Sequence, residues 1–141
     1  MLNDYIEVVI DGEPVPQARP KMMRTGHVYT PEKSRVYKEI VRICAKQVMK
    51  GRPPAKGPLL VTMVVCKSVP QSWSKKKQQA AYLDKVKPEV KPDLDNYIKA
   101  VWDGCNGILW EDDGQVVQVR AEKKYSSKPC VIMKVYSASE E

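Results

Sequence analysis

The sequence predicts a single α/β domain, of the α+β kind, in which helices pack on a mixed β-sheet. The pattern of elements runs β-α-β-α-α-β-β, an order typical of one layered structure with a mixed sheet. The chain has 141 residues, about one domain's length, and is 43% hydrophobic and 29% charged, which suits a buried core with a solvated surface. No repeat, low-complexity block or linker interrupts it, so residues 1–141 are expected to form one domain.

The first half of the chain predicts a strand, an irregular segment, a helix and a second strand. Tyr5–Ile10 is β-rich and ends at the turn dipeptide Asp11-Gly12. Residues 13–30 contain three prolines and a glycine and are expected to be irregular. A helix should run from Pro31 to about Met49, capped by Thr30, with its core face formed by Val36, Ile40, Ile43 and Val48, helped by Tyr37 and Cys44. The β-branched run 59–66 predicts a buried strand.

The second half predicts two helices and two strands. Ser72 should cap a helix that contains residues 75–81 and ends near Asp84, and residues 85–92 should form a loop. The third helix presents Leu94, Ile98, Val101 and Cys105 on one face and should stop at Gly104 or Gly107. Residues 116–120 and 130–136 alternate as strands, joined by the polar stretch 122–128.

The charge distribution indicates a polyanion-binding protein with one acidic island. The net charge is +7, yet residues 93–122 carry seven acids and two bases. A basic surface favours nucleic acid or anionic lipid. The longest apolar stretches are strand-length, which excludes a membrane-spanning protein. The start, Met1-Leu2-Asn3-Asp4, lacks the pattern of a secretory signal, so a cytoplasmic location is expected.

The four cysteines are expected to be buried, reduced thiols. They lie far apart, and His27 is the only histidine, so the close ligand pairs of a structural zinc site are missing. The even number leaves a disulfide framework open, but a cytosolic chain of this size does not need one.

The acidic island falls at the start of the third helix. Asp93 follows Pro92 and is a natural N-cap, Asp95 falls in the first turn, and Lys99 lies one turn further on. A second acidic group, 111–114, with Asp112 and Asp113, occupies the turn before the next strand. If both groups converge at one edge of the sheet, their oxygen ligands suit Mg²⁺ or Mn²⁺.

Each acid also has a purely local interpretation: Asp93 as a cap, Asp95 with Lys99 as a helix ion pair, and residues 112–114 as a turn. An EF-hand fits poorly, because Ile98 occupies the position where the EF-hand loop needs glycine.

Hydrolysis of a phosphodiester combines a cation that activates water, a lysine that stabilises charge, and a basic surface that holds the phosphate backbone. A non-catalytic DNA- or RNA-binding module would need only the basic composition and would leave the acidic island unexplained.

The residues expected to contact DNA phosphates lie in two basic segments: Arg19, Lys21 and Arg24 in the first, and Lys75, Lys76 and Lys77 in the second. For the lysine run, a solvated helix face is an equally good interpretation.

Two motifs resemble the RusA family of Holliday-junction resolvases: Lys91-Pro92-Asp93-Leu94-Asp95-Asn96-Tyr97-Ile98-Lys99, and Trp110-Glu111-Asp112-Asp113-Gly114-Gln115-Val116. The segment Pro16–Lys21 resembles the family's N-terminal Pro/Arg segment more weakly. The resemblance implies a homodimeric, Mg²⁺-dependent endonuclease of bacteria, prophages and phages that cuts four-way DNA junctions by paired symmetric nicks in recombination and repair. It also implies that Asp93, Asp95 and Asp113 are essential carboxylates and metal ligands, with Asp112 a further ligand, and that Lys99 is catalytic. A degenerate, inhibitory phage protein is a rival, but no essential family position is replaced.

Overall fold

The structure, a computed structural model, describes residues 4–18, 21–22, 28–29 and 32–139, with the backbone alone at 21–22 and 28–29. Its helices are α1 (Glu32–Met49), α2 (Lys75–Tyr82) and α3 (Leu94–Cys105). Its strands are β1 (Tyr5–Asp11), β2 (Lys21–Met22), β3 (Val28–Tyr29), β4 (Leu59–Lys67), β5 (Val116–Tyr125) and β6 (Cys130–Ser137). A short 3₁₀ turn, Asp113–Gln115, precedes β5.

The main sheet has four strands in the order β1-β6-β4-β5. Strands β4 and β5 are parallel, whereas β6 is antiparallel to both β1 and β4. The prediction of a mixed sheet in an α+β fold is therefore confirmed. The prediction that residues 13–30 are irregular is wrong at β2 and β3, which pair as a separate antiparallel ribbon. Strands of two residues are too short to show a period of two in the sequence.

Helices α1 and α3 pack together and cover one face of the sheet. Inward residues of the central strands, such as Val61, Met63 and Met133, are fully buried beneath them. The two helices approach closely at Gly104, where an added Cβ would lie 2.7 Å from the Cβ and Cγ1 atoms of Val41. Only glycine allows this approach, so the helix that carries the acidic island is held firmly against α1.

The bounds of α1 confirm the predicted helix, and of its predicted core face Tyr37 is buried while Cys44 and Val48 pack against the core, but the prediction is wrong at the other three residues. Val36, Ile40 and Ile43 are 48%, 41% and 55% exposed. The buried side consists instead of small and mixed residues: Ser34, Tyr37, Val41, Ala45 and Met49. The closest approach of α3 is that of Gly104 to Val41, so the side of α1 that carries Val41 faces inward and the most hydrophobic stripe points elsewhere. Thr30 and Pro31, the predicted helix start, lie outside the described residues.

Two predicted boundaries differ from the structure, and one open alternative is decided. Ser74, not Ser72, caps α2, and its Oγ accepts a hydrogen bond from the amide of Lys77. Of the two glycines predicted to stop α3, Gly104 lies inside the helix, whereas Gly107 directly follows the C-cap Asn106 and has a positive φ of 83°. Strand β5 continues to Tyr125, because the charged residues 122–124 belong to a strand at the edge of the sheet.

All four cysteines are free, and three of them are buried, as predicted. Burial raises the pKa of the Cys66 thiol to about 11 and that of Cys105 to about 12, so both are protonated near neutral pH. In the described part of the chain, no helix combines the length and the hydropathy needed to cross a bilayer.

Candidate active site

The first turn of α3 carries Asp93 and Asp95 at the surface. Asp93 occupies the N-cap position with extended backbone angles (φ −68°, ψ 150°), but its side chain makes no capping hydrogen bond. Its Oδ1 lies 3.6 Å from the Nζ atom of Lys91, and the carboxylate is 56% exposed. A carboxylate that does not cap its own helix, at the positive end of the helix dipole, is available to a cation or a positioned water.

Lys123 of β5 holds the loop that leads into α3. Its Nζ donates hydrogen bonds of 3.0 Å to the carbonyl oxygens of Val90 and Pro92. Because Pro92 directly precedes Asp93, these bonds fix the point at which the acidic island begins. Lys123 faces inward along β5, so its charge is used inside the protein rather than presented to DNA.

The N-terminal segment runs beside the same turn of α3. The amide of Gln17 donates to the carbonyl of Asn96 (3.0 Å), and the amide of Ala18 donates to Oγ of Ser34 on α1 (3.0 Å). Residues 16–18 are the described start of the Pro/Arg segment, so this segment reaches the acidic island.

Two cavities open on either side of residues 17–18. One, of about 520 Å³, is lined by Asp95, Lys99 and Trp102. The other, of about 580 Å³, is lined by Asp93 together with Lys33 and Lys91. Each cavity thus combines a carboxylate with at least one lysine, which is the composition expected where a phosphate backbone meets an acidic site.

Lys99 is paired with Asp103, an acid with no role assigned from the sequence. Its Nζ donates a 2.9 Å hydrogen bond to Oδ1 of Asp103, one turn further along α3. This hydrogen bond and the charge of Asp103 raise the pKa of Lys99, and the charge of Asp113 raises it further. Lys99 is therefore a permanent cation near neutral pH and is suited to stabilise negative charge rather than to accept a proton.

Asp113 and Asp112 have different environments. Oδ1 of Asp113 accepts a 2.8 Å hydrogen bond from Nε1 of Trp110, which is fully buried. Asp112 turns its carboxylate back on its own chain and accepts the amide of Gly114 at 3.0 Å. Asp113 is the member of the pair whose charge reaches Lys99.

Gln115 fastens this acidic turn to the rest of the protein. Its Oε1 accepts from the amides of Glu111 (2.8 Å) and Asp112 (3.0 Å). Its Nε2 donates to the carbonyls of Ala55 (2.9 Å) and Gly57 (3.1 Å). One side chain thus joins the turn to the loop before β4 through four hydrogen bonds.

The donor atoms of the candidate site fit a hard cation, since Asp93, Asp95 and Asp113 offer only carboxylate oxygens. Within the described ranges, no three histidine, cysteine or acidic side chains lie close enough together to hold a metal ion. Asp95 lines one cavity with Lys99, Asp93 lines the other, and the charge of Asp113 acts on Lys99, so the three carboxylates do not form a closed metal site in the described part of the chain.

Comparison with known proteins places these motifs in a family. A family model described as "Endodeoxyribonuclease RusA" matches residues 11–136, which include α3, the acidic turn and the whole of β5. The chain belongs to the RusA endodeoxyribonuclease family. The RusA match covers both acidic motifs and the segment that contacts α3, and membership implies endodeoxyribonuclease activity.

The chain is also similar to a curated protein of Bacillus subtilis (strain 168), "Uncharacterized protein YqaN". The two are 37% identical over 143 residues, a match that covers 96% of this chain and 99% of that protein.

The structure describes some of the basic residues expected to contact DNA and not others. Arg19 and Arg24 lie outside the described residues, and Lys21 is placed only by its backbone in β2. Lys75, Lys76 and Lys77 fill the first turn of α2 and are exposed. Cations are unfavourable at a helix N-terminus, so these lysines do not stabilise α2 through the helix dipole. The Nζ of Lys77 lies 3.9 Å from the ring centroid of Trp73, a cation–π contact.

Four supporting residues of this RusA-family site were missed by sequence reasoning: Asp103, Trp110, Gln115 and Lys123. Two of them had a readable signal. Asp103 is four residues from Lys99 on α3, the spacing of a helix ion pair. Lys123 has the inward parity of its strand, two residues after Ala121. The contacts of Trp110 and Gln115 depend on the fold of the turn and give no such signal.

Proposed function

We propose that this RusA-family protein is a Mg²⁺-dependent endodeoxyribonuclease that resolves four-way (Holliday) DNA junctions by paired symmetric nicks in recombination and repair. One observation carries the proposal. Lys99 shares a cavity with Asp95 of the first acidic motif, and the charge of Asp113 of the second motif adds to the raised pKa of Lys99. Carboxylates that can hold a cation, with a protonated lysine close by, suit phosphodiester hydrolysis.

Asp93, Asp95 and Asp113 would hold the metal ion, and Mn²⁺ is the expected substitute. When bound, the ion would lower the pKa of a water molecule and neutralise negative charge on the phosphate. Asp112 is the weaker candidate ligand, because its carboxylate caps the amide of Gly114. In this assignment Asp112 shapes the turn that presents Asp113.

The side chains of this chain do the rest. Protonated Lys99 lies beside the phosphate oxygens and stabilises the negative charge that grows on them, and Asp103 holds its Nζ in place. Lys33 and Lys91, which line the cavity with Asp93, attract the backbone on the other side. Arg19, Lys21, Arg24 and the lysines of α2 extend this basic surface along the DNA.

A four-way junction has two equivalent strands to cut, and each chain carries one copy of the acidic motif. A homodimer with twofold symmetry would therefore place one site at each strand. We also place the enzyme in the cytoplasm, where DNA is accessible to it.

The second candidate function is a non-catalytic DNA- or RNA-binding module. The basic α2 and the net charge favour it, but it gives no role to the Trp110–Asp113 bond or to the Lys99–Asp103 pair. The two functions differ in whether a carboxylate variant loses hydrolysis while it keeps binding.

The test compares Asp95→Asn with Asp84→Asn, an acid that is paired with Lys87 in a different part of the chain. Junction binding is measured by gel shift and nicking by denaturing gel, with Mg²⁺ or with a chelator. Asp95→Asn should bind at least as tightly as the wild type and lose nicking, whereas Asp84→Asn should do both normally. Nicking by Asp95→Asn at the wild-type rate, or full nicking in excess chelator, would refute the proposal.

A further inference from the structure

A row of aliphatic side chains lies exposed along α1. Val36, Ile40 and Ile43 are spaced i, i+4 and i+7, so they project from one side of the helix. Single exposed aliphatic residues are common on protein surfaces, but an aligned row of them is typical of a surface that another chain covers. We refer to these three residues as the α1 stripe.

A groove adjoins the α1 stripe. It has a volume of about 420 Å³ and is lined by four apolar or aromatic residues, Val15, Val36, Tyr37 and Ile40, together with Gly12 and the charged residues Asp11, Glu13 and Lys33. It shares no lining residue with the cavity that contains Asp95 and Lys99, but it shares Val15 and Lys33 with the cavity that contains Asp93. A chain docked on the α1 stripe would therefore leave the Asp95 cavity open to DNA and would border the Asp93 cavity.

The charges beside the α1 stripe indicate what covers it. Glu39 and Lys46, both exposed, lie seven residues apart and flank the stripe on the same side. If two α1 helices pack side by side in the same direction around a twofold axis, the flank that carries Glu39 and Lys46 lies on opposite edges of the contact in the two helices, so these residues do not meet. If they pack in opposite directions, Glu39 of each helix meets Lys46 of the other, which gives two opposite-charge pairs along one edge of the apolar residues.

Other exposed apolar residues of the described chain include Tyr82 and Leu83 near the end of α2 and Val117 and Val119 on β5. On the face of the sheet opposite the helices, the apolar surface is less continuous than the α1 stripe. Tyr5 and Val9 of β1 are exposed there, but Glu7 lies between them and is 4.0 Å from Lys134 of β6. The charged pair interrupts the apolar surface, whereas no charged residue separates Ile40 from Ile43 along the α1 stripe.

We propose that the α1 stripe docks against the α1 stripe of a second copy of this chain, with the two helices antiparallel. Ile40 of each protomer packs beside Ile43 of its partner, and Glu39 pairs with the partner's Lys46. An antiparallel pair has a twofold axis, so the α1 stripe would form the interface of the homodimer. This proposal rests on the proposed function in so far as that function calls for a homodimer. Three aliphatic residues cover less than the roughly 1,600 Å² of a standard interface, so the dimer should dissociate on dilution.

The first test measures the dimer dissociation constant by analytical ultracentrifugation over a dilution series. Ile43→Glu should raise the dissociation constant by at least about tenfold, because a charge would be buried at the centre of the contact. Val117→Glu, at a residue 65% exposed on β5, is the matched control and should leave it unchanged. Circular dichroism checks that both variants are folded. A wild-type protein that stays monomeric throughout, or an Ile43→Glu dimer as tight as the wild type, would overturn the proposal.

The second test addresses the direction of the helices. Glu39→Lys alone and Lys46→Glu alone should each weaken the dimer, since each creates like-charge pairs, and the double variant should restore it. Parallel helices would give neither effect, because their Glu39 and Lys46 side chains lie on opposite edges of the contact and do not pair. Single variants that dimerise as well as the wild type overturn the antiparallel contact.

The outcomes separate this proposal from the proposed function. Ile43 lies outside the acidic site, so Mg²⁺-dependent nicking of individual strands is expected in both variants of the first test. An Ile43→Glu protein that nicks DNA and remains a tight dimer overturns the α1 contact alone. A wild-type dimer that is broken by Ile43→Glu but never nicks junction DNA overturns the nuclease function alone.

Discussion

Replacing Gln115 with alanine tests whether the acidic turn must be fastened for the site to work. The side chain makes four hydrogen bonds of 2.8–3.1 Å that join the turn to the loop before β4. Each such bond contributes about 1 kcal/mol net, but water can replace part of them at this half-exposed position. We therefore expect Gln115→Ala to lower the free energy of unfolding by about 2 kcal/mol and the melting temperature by about 6 °C.

The same change should slow nicking more than it weakens binding. Without Gln115 the amides of residues 111 and 112 lose their acceptor, and the turn that carries Asp113 is no longer tied to the loop before β4. We expect the nicking rate to fall at least about tenfold while junction affinity stays within about twofold, because a misplaced catalytic group affects mainly the chemical step. Denaturant unfolding gives the stability, and single-turnover cleavage with gel shift gives the other two quantities.

Two further variants sharpen this prediction. Gln118→Ala, at an exposed residue of β5, is the control and should change neither stability nor rate. Gln115→Glu keeps an acceptor for the two amides but turns a carboxylate toward the carbonyls of Ala55 and Gly57. Its loss of stability should shrink as the pH falls and the carboxyl gains a proton. A Gln115→Ala protein as stable and as active as the wild type would refute the reasoning.

Three more predictions concern the supports of α3 and the turn. Trp110→Phe replaces the buried indole by a smaller ring, which removes the hydrogen bond to Asp113 and leaves a cavity, so nicking should slow and stability should fall by about 1–3 kcal/mol in denaturant unfolding. Unchanged values would contradict the role of that bond. Asp103→Asn removes the main cause of the raised pKa of Lys99. In a pH–rate profile, the loss of nicking at alkaline pH should therefore begin at a lower pH than in the wild type. A profile identical to that of the wild type would contradict the role of Asp103. Gly104→Ala forces a Cβ against α1 and should cost about 1–3 kcal/mol of unfolding free energy; a melting temperature equal to the wild type would show that the helices can separate freely.

The α1 helix shows what sequence periodicity could and could not predict. The limits of the helix were predicted closely, because its apolar spacing and the following glycine and prolines are local signals. The buried face of the helix could not be predicted, because two rows of residues on α1 have the helical period and the more hydrophobic row, the α1 stripe, faces solvent. The deciding contact is Gly104 against Val41, a tertiary constraint that selects small residues such as Ala45 for the inner face.

The acidic site shows the same division. Asp93, Asp95, Lys99 and the acidic turn could be proposed from carboxylate chemistry and motif spacing. The sequence could not predict which of Asp112 and Asp113 acts on Lys99, because that depends on how the 3₁₀ turn directs each side chain. The anchoring of the turn by Gln115 joins residues about sixty positions apart along the chain, a distance over which no local pattern is informative.

The most direct measurement of the nuclease account is strand-specific mapping of cuts in a synthetic four-way junction. Each strand is end-labelled in turn, and the same sequences are supplied as linear duplexes. The account predicts nicks at symmetric positions on two opposite strands of the junction, formed with Mg²⁺, absent with a chelator and absent with Asp95→Asn, while the duplexes stay intact. Tight junction binding with no nick on any strand in Mg²⁺ or Mn²⁺ would contradict it.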